Sequence, residues 1–481
     1  MFGAGTGVGI PVQKISEFSK NFNKEPRNRL VKSILDKSLI NDVATNPDKP
    51  AQRVFKYHLK PDVLPLTNQQ ESGRCWIFSF TNLIKRKMIH HYKLAPTFKI
   101  SQKFVLIYDH IEKCNTLMEI LYFKKDLHMD LEMLYLRSVY NNDGGTWNFF
   151  VNIVLKYGLV PYEAYPDNMQ STHTTDLNRM LSDFICAQSP VIRAAKSRAE
   201  FSKLKWDVLL DCYKVIESFL GAPPTTVTWR YTDTNGKFHE QPTCSPLEFY
   251  EKYVRHLVNV SQYVVLINDP RSKYPYNHMY SVEFLHNVLP DNMSAIDLSR
   301  LATNKYFNVS TDVMRKAIFK SIAANTAVPF AADARKFIRH SESRMDTQVN
   351  YEDLLPIDLI YPKKFQYENF ISAPNHAMLF IACDGEKGPL QVENSWGKVV
   401  PNPNIELPEY PYLTMSDAWF EHYVGEVYVH ISYLDAATRN QYKQCLADVS
   451  NYTFYPLWDV FGNLTTNKRG GKQRRDTQLV G

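Results

Sequence analysis

Residues 69–80 read Gln69-Gln70-Glu71-Ser72-Gly73-Arg74-Cys75-Trp76-Ile77-Phe78-Ser79-Phe80, and the texture of the chain changes within them. Residues 61–74 are polar and turn-rich. From Cys75 onward, Trp76, Phe80, Leu83, Ile84 and Met88 recur at spacings of three and four, the pattern of a half-buried helix. Ser72-Gly73 suits the start of that helix, so Cys75 is predicted at or near a helix N-terminus. There the unpaired N–H groups and aligned peptide dipoles favour thiolate over thiol. The Cys75 N–H faces the space ahead of the helix, and Gln69, on the loop before it, offers a second donor. The two make a candidate oxyanion hole.

A cysteine nucleophile also needs a base, and a group that holds the base in one tautomer. Both are found in one hairpin. His376-Ala377-Met378-Leu379-Phe380-Ile381-Ala382-Cys383 is a compact apolar run. Asp384–Pro389 is turn material, and Leu390-Gln391-Val392-Glu393 resumes the strand pattern. His376 opens the first strand and Asn394 follows the second, so antiparallel pairing brings the two together. The Asn394 amide can accept the imidazole Nδ1–H, and Trp396 can cover that hydrogen bond from water. Asn141-Asn142-Asp143-Gly144-Gly145 is a strong turn signal.

Read together, Gln-x5-Cys-Trp at 69–76, Asn375-His376-Ala377 and Glu393-Asn394-Ser395-Trp396-Gly397 resemble the papain-like cysteine peptidases. The match is closer to their bleomycin hydrolase branch. It extends over Asn142-Asp143-Gly144-Gly145, Lys156–Pro161, Pro246–Tyr250, Val265–Pro270 and Pro456-Leu457-Trp458-Asp459. His376 lies 301 residues after Cys75, about twice the roughly 130–150 usual in papain and cathepsins. The surplus corresponds to the amphipathic stretch 170–325, which is helical in flavour.

The resemblance implies an α+β fold: a papain-like two-lobed core, with a helical lobe and an antiparallel β lobe, a large helical insertion and a C-terminal arm. The division it implies is a 1–60 extension packing on the core, a 61–169 helical lobe and a 170–325 insertion used for oligomerisation. A 326–445 β lobe, a 446–466 arm toward the active site and a basic, disordered 467–481 tail complete it. It implies Cys75 as nucleophile, His376 as base, Asn394 as orienting residue, Gln69 in the oxyanion hole, Gly144 and Gly145 along the substrate and Trp396 as cover. It implies a homohexamer and an aminopeptidase acting on peptides, with the amide hydrolysis that gives the branch its name.

The chain departs from that branch at its end, where residues continue beyond Asp459-Val460-Phe461-Gly462. A C-terminal carboxylate set in the cleft to meet the substrate's amine would then be misplaced. This leads to an expected self-trimming near 465–467, with endopeptidase or acyl-transferase outcomes as alternatives. Lys398–Tyr412 is Pro-rich where the branch tends to have Gly.

The totals set limits on these readings. The 481 residues are 44% hydrophobic and 22% charged, with mean hydropathy −0.35, a composition able to bury a large core. No apolar run approaches the roughly 18 residues of a membrane helix, and the N-terminus carries no secretory signal pattern. A cytoplasmic location is the expectation. Seven scattered cysteines without a CxxC pair argue against a disulfide framework or a zinc site, and no cofactor is called for. The net charge of +6 is concentrated in the last fifteen residues, where five Lys and Arg face one Asp. A nucleic-acid-binding or non-catalytic hexameric scaffold is therefore the weaker alternative.

Overall fold

The computed structural model describes residues 9–44, 51–124, 131–140, 142–290, 298–339, 342–349, 351–397 and 411–462. The basic tail 467–481, its expected trimming point and nearly all of the Pro-rich segment 398–412 lie outside them. The chain divides into two units, one of residues 1–50 and 347–361 and one of the remainder. The first holds helices α1 (Val12–Lys24) and α2 (Pro26–Leu35), and Arg27 Nε donates to the Asp353 carbonyl at 2.8 Å. The site lies in the second unit. Residues 51–60 of the expected N-terminal extension belong there too, with Tyr57–His58 (β1) in its sheet.

The second unit is built on helices α3 (Cys75–Tyr92), α4 (Gln102–Phe123), α5 (Trp147–Tyr157), α6 (Thr175–Ala194), α7 (Arg198–Leu220) and α8 (Thr311–Ala323). Its sheet adds to β1 the strands β2 (Tyr263–Ile267), β3 (His278–Val282), β4 (Tyr306–Asn308), β5 (Val328–Ala332), β6 (Ile338–Arg339), β7 (Arg344–Met345), β8 (His376–Cys383), β9 (Leu390–Glu393), β10 (Leu413–Met415), β11 (Val424–His430) and β12 (Thr453–Tyr455). Among the described residues the order is β12-β3-β4-β2-β11-β5-β8-β9-β10-β7-β6, with β1 also on β8. The strands around His376 pair antiparallel, whereas β12–β3, β2–β4 and β10–β7 are parallel, so the sheet is mixed.

Two expectations change. Helix occupies 170–325 continuously only to Leu220, apart from the breaks between helices. Its second half gives β2, β3 and β4 to the main sheet before α8. Tyr263-Val264-Val265-Leu266-Ile267 is buried at every position, and a run apolar on both faces lacks the alternation that separates strand from buried helix. Helices α6 and α7 pack on α4, and Arg198 and Lys205 of α7 pair with the buried Glu119 of α4.

Helix α3, in turn, is buried nearly all round rather than half-buried. Even Lys85 and Arg86 are enclosed, because Glu393 answers both: Arg86 Nη2 lies 2.5 Å and Lys85 Nζ 3.9 Å from its carboxylate. The sequence showed polar residues where the fold places an internal ion pair.

Candidate active site

Helix α3 begins at Cys75, with Arg74 as its non-helical cap. The loop leading into it is held by Asp143, whose Oδ2 accepts the Gly73 N–H at 2.6 Å and the Thr174 hydroxyl at 2.5 Å. The Asp143 carbonyl accepts Trp76 Nε1–H at 2.8 Å. A Cβ at residue 73 would lie 2.4 Å from Asp143 Oδ1, so a side chain there would have to displace the Asp143 carboxylate. Sequence reading saw Asp143 as a turn residue. Its partners lie 31 and 70 positions away in the chain, and no local pattern marks them.

The hairpin β8–β9 forms with Leu379 opposite Glu393 and Cys383 opposite Leu390. His376 and Asn394 sit at its open end, with His376 ring Nε2 2.8 Å from Asn394 Oδ1. That oxygen also accepts the Ser395 N–H at 2.7 Å, which identifies it as the acceptor and places the proton of the pair on Nε2. The sequence reading gave Asn394 the Nδ1–H, whereas the geometry uses Nε2 and turns Nδ1 to other work. The Trp396 ring lies over the imidazole, centroids 4.5 Å apart and planes tilted by 30°. Ser79 Oγ donates to the Met378 carbonyl at 2.7 Å, tying α3 to β8.

Gln69 is buried beside this pair. Its backbone N–H and its Oε1 are held by the Ser395 carbonyl and hydroxyl, at 2.8 and 2.7 Å. One N–H of its amide goes to the Ser72 carbonyl at 2.6 Å, and an amide nitrogen has a second. Gly144 and Gly145 separate. Gly144 is buried, its N–H on Asn142 Oδ1 and its carbonyl taken by Lys113 Nζ, so it does not face the cleft. Gly145 does, and a Cβ there would lie 2.5 Å from the Trp76 ring.

Cys75 and His376 face one cleft, together with Trp76, Gly145 and Ala377. Its further wall is Ala331, Glu426 and Tyr428, and Val460 and Phe461 enter from the C-terminal arm. The arm is fixed by Asp459, whose two oxygens each accept an Arg271 guanidinium N–H at 2.9 Å. Arg271 also pairs with Asp269, and Tyr455 donates to Asp269 at 2.9 Å. Sequence reading missed Glu426 and Arg271. A lone acid in the apolar run Val424–Val429 was the available signal for Glu426; Arg271 had none.

Burial dominates the electrostatics of the thiol. It pushes Cys75 up to about 11, against lowering by the backbone N–H groups of Ala377 and Trp76, and the Asp143 charge raises it further. The helix N-terminus alone does not make a thiolate here. A thiolate in this cleft needs a neighbouring positive charge. Burial also raises Glu426, to about 7, with the Tyr428 hydroxyl lowering it in part. Among the described residues no three His, Cys, Asp or Glu side chains converge as metal ligands, and no helix is long and apolar enough to cross a membrane.

The chain is similar to known proteins. Residues 9–462 match the Peptidase C1-like family. The chain is 28% identical to bleomycin hydrolase of Mus musculus, over 95% of this chain and 99% of that protein. It is 28% identical to aminopeptidase C of Listeria innocua serovar 6a, with the same two coverages. It is also 28% identical to "Cysteine proteinase 1, mitochondrial" of Saccharomyces cerevisiae strain JAY291, over 95% and 93%. The crystal structure of PepW from Lactobacillus rhamnosis HN001 superposes with a TM-score of 0.83 at 25% identity, covering 95% of this chain and 99% of that one.

Proposed function

The chain belongs to the Peptidase C1-like family and is a cysteine-type peptidase, and we propose that it removes residues from the free amino termini of peptides, with Cys75 as its nucleophile. The observation that carries the reading is the arm: Val460 and Phe461 stand in the cleft with Cys75 and His376, leaving little room for chain upstream of the residue being cleaved.

In this mechanism His376 takes the Cys75 proton as sulfur attacks the carbonyl of the first residue. The oxyanion is received by the Cys75 N–H, an orphan of the helix start, and by the second amide N–H of Gln69. The imidazolium, oriented through Nε2 by Asn394 and covered by Trp396, protonates the leaving amine. A thioester remains. Water, deprotonated by His376, then releases the first residue and restores the thiol. Gly145 borders the substrate.

Fluorogenic amino-acid amides with a free α-amine, set against N-blocked counterparts, test the reading in wild type and Cys75→Ala. Cleavage of the free-amine set alone, lost in the variant, is expected. Preference for blocked substrates would favour endopeptidase action, which the continuation of the chain past Gly462 keeps as the second reading. The comparisons favour neither acyl transfer nor a non-catalytic scaffold. Intact-mass measurement of wild type against Cys75→Ala tests self-trimming near 465–467; equal full-length masses would remove that step.

The same reading includes a cytoplasmic homohexamer assembled partly through 170–325. Self-association is supported by the exposed Ile15, Phe18 and Phe22 along α1, at 53%, 58% and 43% exposure. Sedimentation as a monomer would remove the hexamer, and fractionation with mitochondria would remove the location.

A further inference from the structure

Most of the groups around Cys75 have their partners inside the protein, but Glu426 is a buried acid without a cation. Its side chain lines the cleft beside Cys75, His376 and Ala377, and the residue is 6% exposed. Its Oε2 accepts the Tyr428 hydroxyl at 2.6 Å. Among the described residues no Lys, Arg or His pairs with it. The nearby Arg271 is committed to Asp269 and Asp459. A buried carboxylate without a counter-charge is costly to keep, so its placement in a substrate cleft points to a cation that arrives with the substrate.

The sheet aims it there. Ala331 on β5 stands opposite both Glu426 on β11 and Ala377 on β8, so the three side chains form one row across three strands. The two alanines between the acid and the nucleophile leave the floor of the cleft open. Between Val424 and Glu426 the register of β11 shifts against β5 by the extra residue Gly425, a bulge of the kind that re-aims a side chain near an active site. Gly425 is required for this, since a Cβ there would lie 2.4 Å from the Pro374 ring. Glu426 and Ala377 are two inter-strand spacings apart, about 10 Å between backbones. Cys75, Ala377 and Glu426 line the same cleft.

We propose that the Glu426 carboxylate receives the α-ammonium group of the substrate and so selects peptides with a free amino terminus. This rests on the aminopeptidase reading and places the anion that reading needs in the sheet, whatever becomes of the chain past Gly462. Tyr428 is the positioning residue that fixes one carboxylate oxygen and leaves the other for the ammonium.

The test compares an alanyl fluorogenic amide with its propionyl analogue, which differs only in lacking the α-amine, on wild type and Glu426→Gln. Glutamine keeps the shape and can still accept from Tyr428. For the alanyl substrate kcat/KM is expected to fall about 10- to 100-fold, the range for losing one charge-assisted hydrogen bond. The propionyl substrate is expected to hold or rise, so the ratio of the two collapses. Equal iodoacetamide alkylation of Cys75 in both proteins would show the nucleophile intact. An unchanged ratio in the variant overturns the proposal. A wild type indifferent to the amine overturns the aminopeptidase reading instead. Should the glutamine variant fail to fold, Glu426→Asp, charged but withdrawn by one methylene, must give an intermediate ratio; a wild-type ratio there overturns the assignment.

Discussion

Arg271 and Asp459 lie 188 residues apart in the chain and meet through two hydrogen bonds of 2.9 Å, both side chains almost fully buried. This pair fixes the last described turn of the chain, where the Phe461 N–H also returns to Asp459 Oδ1 at 3.2 Å. Because Arg271 keeps Asp269 at 2.8 Å when Asp459 is lost, the effect of Asp459→Ala should stay local to the arm. A local loss of about 1.5–3 kcal/mol is expected, the range for hydrogen bonds to a charged group. Phe461 and Val460 would then leave the cleft part of the time. Cleavage of N-blocked amides should rise relative to free-amine amides. A variant with the wild-type ratio would show that the arm does not limit the substrate.

Asn394→Ala removes the acceptor 2.8 Å from His376 Nε2. The loss falls on the step where charge develops on the imidazole, so kcat should drop about 10- to 100-fold with KM nearly unchanged. An equal rise in KM would place Asn394 in substrate binding instead.

Burial holds the Cys75 thiol up at about 11, so its reactivity near neutrality is expected to depend on His376, which lines the same cleft. In wild type, iodoacetamide should alkylate Cys75 well below pH 8. In His376→Ala the rate at pH 7 should fall by two or more orders of magnitude and recover only as pH approaches the thiol's own range. A variant alkylated like wild type would mean that the helix terminus alone activates the sulfur.

Glu426 makes stability depend on pH in a calculable direction. Its folded-state pKa is raised by burial to about 7, from the 4.5 of an ordinary glutamate. The groups facing it are Tyr428 on its own strand, Tyr306 of β4 and Tyr367 of Lys363–Glu368, together with Cys75 and His376 across the cleft. For a raised acid, the stabilising contribution is complete below the unfolded pKa and is lost as pH climbs through the folded one. Wild type should lose about 3 kcal/mol more than Glu426→Gln between pH 4.5 and pH 8, from the difference of the two pKa values. Denaturant midpoints of the two proteins at several pH values measure this. Parallel curves would show that Glu426 stays ionised throughout.

Local pattern by itself determined two elements that carry the chemistry. The three-and-four spacing after Cys75 specified a helix because α-helical side chains return to one face at that interval, and helix α3 starts at that residue. The apolar run from His376, the turn residues and the resumed strand specified a hairpin, because each part is a short-range preference of the backbone. Composition and motif resemblance specified the family. The tertiary structure alone decided the rest: Asp143 against Gly73, Arg86 against Glu393, Arg271 against Asp459 and Glu426 at the cleft. It also decided that buried runs such as Tyr263–Ile267 are strands. Each of these rests on long-range pairing or on burial from both sides. A charged side chain in a sequence looks the same whether water or a distant partner will answer it, and only the packed chain brings the partner.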